Sequence, residues 1–120
     1  HKLLKAEVIW IEPPWKAVLS NKALLPILWE LFPGHRNLLA SFVTLEDAQK
    51  QLGQHYVVKP LLGREGQNVT IHSAQGEFTF PGCYTDDGYV YQEVCMPPKL
   101  GTRWLVFGGW IVGDSAAGLA

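Results

Sequence analysis

Proline and glycine cut this 120-residue chain into short pieces, with eight Pro and twelve Gly in all. The apolar run of residues 6–11 stops at Pro13-Pro14, and that of 23–32 stops at Pro33-Gly34. Residues 55–59 end at Pro60, and residues 89–94 end ahead of Pro97-Pro98. The longest run, residues 104–112, has Gly108-Gly109 inside it. Proline fixes φ and removes a backbone donor, so helices and strands end close to it. No stretch approaches the roughly 18 apolar residues of a membrane span. Short elements must therefore assemble one core by packing against each other.

Their types follow from local chemistry. Residues 6–11 read as a β-favouring run. Ser20 or Asn21 can cap a helix over 23–32, where Pro26 is tolerable only near the first turn. Leu24, Leu28 and Leu31 share one face, with Leu25, Trp29 and Phe32 beside them, which predicts a helix largely buried against a sheet. Thr44-Leu45-Glu46-Asp47 has capping-box spacing and Gly53 suits a C-terminal cap, bracketing a second short helix. Residues 55–59 read as a strand, 61–68 as a polar loop, and 69–72 with 77–80 as a hairpin. A further strand spans 89–94. Residues 103–112 read as a buried strand kinked at Gly108-Gly109, and after a turn at 113–115 a returning strand begins at Ala116. Two early helices and four or more mostly antiparallel strands make the expected class α+β. The chain contains no internal boundary, repeat or linker.

Composition narrows the function classes. Hydrophobic residues make up 48% and net charge is −1, which excludes a disordered tail and gives no electrostatic footprint for nucleic acid or anionic membrane. Cys83 and Cys95 form no metal or redox spacing, and so low a cysteine count suggests a reduced, cytoplasmic protein. Residue 1 is His, the single Met is Met96, and the last strand has barely begun. We expect a piece of a longer protein; the alternative is a trimmed chain with a ragged end.

The residues with most chemical content lie between 57 and 68. Lys59 stands near the end of an apolar strand. Gly63 and Gly66 let backbone amides approach an anion, and Arg64 adds a planar fork for phosphate oxygens. Together they suit a loop closing over polyphosphate, although an ordinary turn with a surface Lys and Arg is the alternative. Lys22 precedes a helix N-terminus, where a cation is disfavoured unless an anion is there too, and otherwise it is a solvated lysine. Gln92-Glu93 can meet an adenine edge, or can be the polar face of an edge strand. Asp86-Asp87-Gly88 is mainly a turn signal. Neither the four His nor the two Cys have ligand or nucleophile spacing.

Several segments in order resemble the C-terminal part of the glutathionylspermidine synthase family. They are Glu12-Pro13-Pro14-Trp15, residues 20–35 beginning Ser20-Asn21-Lys22-Ala23, and Val58-Lys59-Pro60-Leu61-Leu62-Gly63-Arg64-Glu65-Gly66-Gln67-Asn68. Tyr89-Val90-Tyr91-Gln92-Glu93 and residues 108–118 continue the likeness. The Glu-Gly-Gln form of the loop is closer to the acid–amine ligase branch than to the bifunctional synthetase–amidase. The resemblance implies part of one ATP-grasp domain over residues 1–120, in circularly permuted order. It also implies a ligase that activates a carboxylate as an acyl phosphate, with ATP and Mg²⁺, for attack by an amine. By the matched motifs, Lys22 and Lys59 would contact ATP phosphates and Gln92, with Glu93, would lie by the adenine. Arg64 would be catalytic, on a mobile loop with Gly63 and Gly66. The family's Mg²⁺-binding carboxylates and Asn would lie upstream and a catalytic Arg just after Ala120. Asp86, Asp87 and Asp114 match no metal position, so no metal ligand is expected here and the piece alone should be inactive. Glutathione-like acid and polyamine-like amine would bind mostly outside it. The alternatives are a non-catalytic nucleotide-binding or interaction module derived from the same fold, and a β-rich scaffold without ligand.

Overall fold

The computed structural model describes residues 9, 14–84 and 88–119. Two α-helices, α1 (Leu24–Leu31) and α2 (Leu45–Leu52), follow a 3₁₀ turn over Pro14–Ser20. Among the described residues nine strands accompany them: β1 (Ser41–Phe42), β2 (Tyr56–Pro60), β3 (Thr70–Ser73), β4 (Gly76–Thr79), β5 (Tyr89–Glu93), β6 (Lys99–Leu100), β7 (Arg103–Trp104), β8 (Gly109–Val112) and β9 (Ser115–Leu119). The α+β class and the antiparallel pairing are as expected. The strand expected at residues 6–11 and the Asp86-Asp87-Gly88 turn lie wholly or mainly outside the described residues.

The main sheet has the order β1-β5-β2-β3-β4, with every neighbouring pair antiparallel. β3 and β4 form the expected hairpin on one side of β2, and β5 returns along its other side. β5 therefore lies between β1 and β2, which corrects the edge-strand alternative for Gln92-Glu93. The core gathers on the central strands: Tyr56, Val57 and Val90 are buried, with Ala48 from α2 and Ala40 just ahead of β1.

α2 ends as its sequence predicts. Thr44 Oγ1 accepts from the Asp47 N–H at 3.1 Å, and the Thr44 hydroxyl donates to the Asp47 carboxylate at 2.6 Å. Gly53 closes the helix at φ 66°, with its N–H on the Gln49 carbonyl. α1 departs from expectation. Ala23, with no side-chain cap of its own, is the N-cap, and Asn21 acts two residues earlier, its Oδ1 accepting from the Ala23 N–H at 2.9 Å. Only Pro26 of α1 is buried, while Ile27, Leu31 and the following Phe32 are exposed. The helix touches the main sheet through its short edge strand β1, and Leu24, Leu25, Leu28 and Trp29 of its apolar arc are half-buried rather than largely buried.

The apolar run at 103–112 also differs. It is divided into β7 and β8, each paired within its own two-stranded ribbon, β6–β7 and β8–β9. Trp104, Trp110, Ile111 and Val112 are exposed rather than buried. Local hydrophobicity marked these residues as strand-forming, but burial depends on a partner surface.

Candidate functional site

Lys59 and Gln92 meet because of sheet register. In the β2–β5 ladder Val57 pairs with Gln92 and Lys59 with Val90. Lys59 and Gln92 are thus diagonal neighbours on one face, within reach of long side chains. Lys59 Nζ donates to Gln92 Oε1 at 2.6 Å. On the far side, Gln92 Nε2 donates to Ser41 Oγ at 3.0 Å, and the Ser41 hydroxyl donates to the Leu39 carbonyl at 2.9 Å. Gln92 and Ser41 are buried, whereas Lys59 is half-buried and opens into a cleft.

The loop after β2 forms one wall of that cleft. Glu65, Gly66 and Asn68 all have positive φ, at 54°, 73° and 56°. Left-handed backbone at a residue with a Cβ costs on the order of 1–2 kcal/mol, so the loop is held by other contacts. Asn68 anchors it: its N–H donates to the Phe80 carbonyl and its Oδ1 accepts from the Tyr84 N–H at 2.8 Å. At Gly63 the constraint is space, since a Cβ there would run into the Pro60 ring.

Lys22 ties this loop to the start of α1 from 41 residues away. Its backbone N–H donates to the Leu61 carbonyl at 2.9 Å, and its Nζ donates to the Gly63 carbonyl at 2.6 Å. Arg64 Nη1 lies 3.4 Å from the carbonyls of Ser20, Leu62 and Gly63. Lys22, Lys59 and Arg64 together line a cleft of about 240 Å³, with Gly63, Gly66 and Glu65 in its wall.

Electrostatics reflect this convergence. Burial, then the neighbouring Lys22 cation, lowers the Lys59 pKa below its ordinary value of 10.5. Lys22 is lowered as well, by burial first and then by Arg64. Desolvation disfavours a charged lysine and like charges add to it. Such a cluster can accept an anion that offsets both penalties.

The structure thus brings together five of the seven residues predicted for a site: Lys22, Lys59, Gly63, Arg64 and Gly66. Gln92 stands directly behind Lys59. Glu93 faces elsewhere, its N–H donating to the Ala40 carbonyl at 2.8 Å and its Oε2 accepting from the Ala40 N–H at 3.4 Å. Ser41 was not singled out from the sequence, where nothing distinguishes it from any serine before a helix. A larger cleft of about 470 Å³ lies on the opposite sheet face, beside Tyr56, Val58, His72 and Tyr91, without the lysines or Arg64. Among the described residues no group of three or more His, Cys, Asp or Glu could hold a metal ion, and no helix is long and apolar enough to cross a membrane. Cys83 and Cys95 are free thiols.

Comparison with known proteins gives a consistent result. The family model described as glutathionylspermidine synthase preATP-grasp matches residues 1–120. The Haemophilus influenzae protein named "Putative acid–amine ligase" is 42% identical, over 95% of this chain and 30% of its own length. The bifunctional glutathionylspermidine synthetase/amidase of Escherichia coli is 36% identical, over 97% of this chain and 19% of its own. Trypanothione synthetase of Crithidia fasciculata is 35% identical, over 93% of this chain and 17% of its own. The chain spans 30% or less of the length of each of these relatives.

Proposed function

The chain belongs to the glutathionylspermidine synthase family, and from that premise we propose that it carries the phosphate-facing part of the ATP site of a carboxylate–amine ligase. The observation that carries this reading is the convergence of Lys22, Lys59 and Arg64 on one cleft in a chain of net charge −1. Three cations held together against their mutual repulsion call for a polyanion. The cleft's 240 Å³ is below the roughly 300–1,000 Å³ of sites enclosing whole small ligands, and suits the phosphate end of a nucleotide.

In this reading residues 1–120 are part of one ATP-grasp domain of a cytoplasmic enzyme. ATP supplies the phosphoryl group that converts a carboxylate into an acyl phosphate, which an amine then attacks to form the amide. Lys22 and Lys59 hold and neutralise phosphate oxygens, which is most of what phosphoryl transfer requires of a protein. Arg64, on the loop, faces the reacting group and helps keep water from it. Gln92 keeps Lys59 in place at the back of the cleft, near the adenine side. The described residues offer no fit for Mg²⁺, so its ligands would come from elsewhere in the full-length protein. The relatives' names support a peptide acid such as glutathione and a polyamine as the kinds of substrate.

The test is turnover by the full-length protein. ADP and phosphate should appear from ATP only when both acid and amine are supplied, with the amide detected by mass spectrometry. Nucleotide binding without turnover across acid–amine pairs would favour a non-catalytic module, and no ATP binding at all would sink the proposal.

A further inference from the structure

We propose, resting on that reading of the cleft, that Ser41 is a positioning residue for Lys59, acting through Gln92 without touching the anion. Ser41 is 3% exposed and Gln92 6%, and neither lines the cleft. The hydrogen bonds run in one direction only, from Lys59 through Gln92 and Ser41 to the Leu39 carbonyl. An ammonium has protons to give and no acceptor, so it requires the oxygen of the Gln92 carboxamide. That turns Nε2 toward Ser41, which must accept. A serine hydroxyl has one proton, and Ser41 spends it on the Leu39 carbonyl two residues back along its own chain. Its lone pairs are then what remains for Gln92. The carboxamide is thereby fixed from both ends, and the relay ends on backbone.

Register sets the line. Ser41 pairs with Gln92 across β1 and β5, and Gln92 is diagonal to Lys59 across β5 and β2. A lysine has four rotatable bonds, and confining its Nζ costs rotamer entropy. Here that cost is met before any anion arrives, which is preorganisation. Without Ser41, Gln92 Nε2 is a buried donor lacking this acceptor. The carboxamide can then tilt or turn to find another, and the Lys59 ammonium moves with it.

The experiment is a double-mutant cycle in the full-length protein, read by calorimetric titration with ATP. Ser41→Ala should weaken ATP binding about five- to tenfold, the scale of one hydrogen bond's worth of positioning. Ser41→Thr, which keeps the hydroxyl, should stay within about twofold. In a Lys59→Met background, Ser41→Ala should add less than about twofold, because its effect passes through Lys59. Should Ser41→Ala fail to fold, Ser41→Cys keeps the side-chain shape at a slightly larger size, with a weaker acceptor, and should show the same dependence on Lys59. Equal losses in both backgrounds would mean general structural damage and overturn the proposal, as would no loss from Ser41→Ala where Lys59→Met is strongly impaired. If Lys59→Met itself binds ATP normally, the reading of the cleft fails, and the role of Ser41 with it.

Discussion

Replacing Lys59 by Met separates the work this residue does for the anion from its effect on the fold. Lys59 is half-buried, its Nζ donates to Gln92 Oε1 at 2.6 Å, and its pKa is lowered by burial and then by Lys22. Part of its desolvation is therefore already present before a phosphate arrives. A charge-assisted hydrogen bond is worth about 1.5–3 kcal/mol, and at about 1.4 kcal/mol per tenfold its loss should weaken ATP binding about 10- to 150-fold. Two effects on the unliganded protein oppose each other. Leaving Gln92 Oε1 without its donor costs about 1–3 kcal/mol. Removing a partly desolvated cation from beside Lys22 returns some of that, and the Met stem keeps the packing. Calorimetric titration with ATP, paired with thermal unfolding of the same full-length protein, should show a large affinity loss with little change in melting temperature. Unchanged affinity in a folded variant would refute the reasoning. So would a melting temperature that collapses in step with affinity, since Lys59 would then be structural.

Further outcomes follow from the same geometry. Because Lys22 and Lys59 titrate below 10.5 when folded, the folded state binds fewer protons than the unfolded one between the lowered pKa values and 10.5. Stability should thus rise with pH through that window, the penalty being fully present below it. A bound polyphosphate favours the charged forms, so ATP binding in that window should take up protons, as titrations in buffers of different ionisation enthalpy would register; proton release would contradict the site. Gly63→Ala drives a Cβ into the Pro60 ring and should destabilise by about 1–3 kcal/mol while weakening ATP binding, and a neutral variant would mean the loop is slack. Thr44→Ala removes the α2 cap bond to Asp47 and should cost about 1 kcal/mol in thermal stability with ATP affinity unchanged.

The local rules carried far in some places and stopped in others. Helix α2 was legible because its signals, Thr44, Asp47 and Gly53, lie within a turn or so of what they control. The β3–β4 hairpin and the end of β2 at Pro60 were legible for the same reason. Helix α1 was found, but its burial was overestimated because an apolar arc states what a helix can cover and not what is there to be covered. The strand at 103–112 failed similarly: each end found its own partner, residues 105–108 separate the two ribbons, and Gly109 opens β8.

Residue chemistry marked Lys22, Lys59 and Arg64 as possible anion contacts beside plainer alternatives, because a cation before a helix, another near a strand end and an arginine between two glycines are local facts, and the family resemblance singled them out. Only the tertiary structure decided that they share a cleft. The contacts that assemble it join residues 33, 41 and 51 positions apart: Lys59 with Gln92, Lys22 with Gly63, and Gln92 with Ser41. The contacts of Gln92 with Lys59 and with Ser41 depend on strand order and register, and a shift of one residue would send Lys59 or Gln92 to the opposite face of the sheet. Propensity acts over a few residues, whereas register is settled by pairing and burial across the whole sheet. A buried serine with no local signature could therefore come to stand behind the lysine.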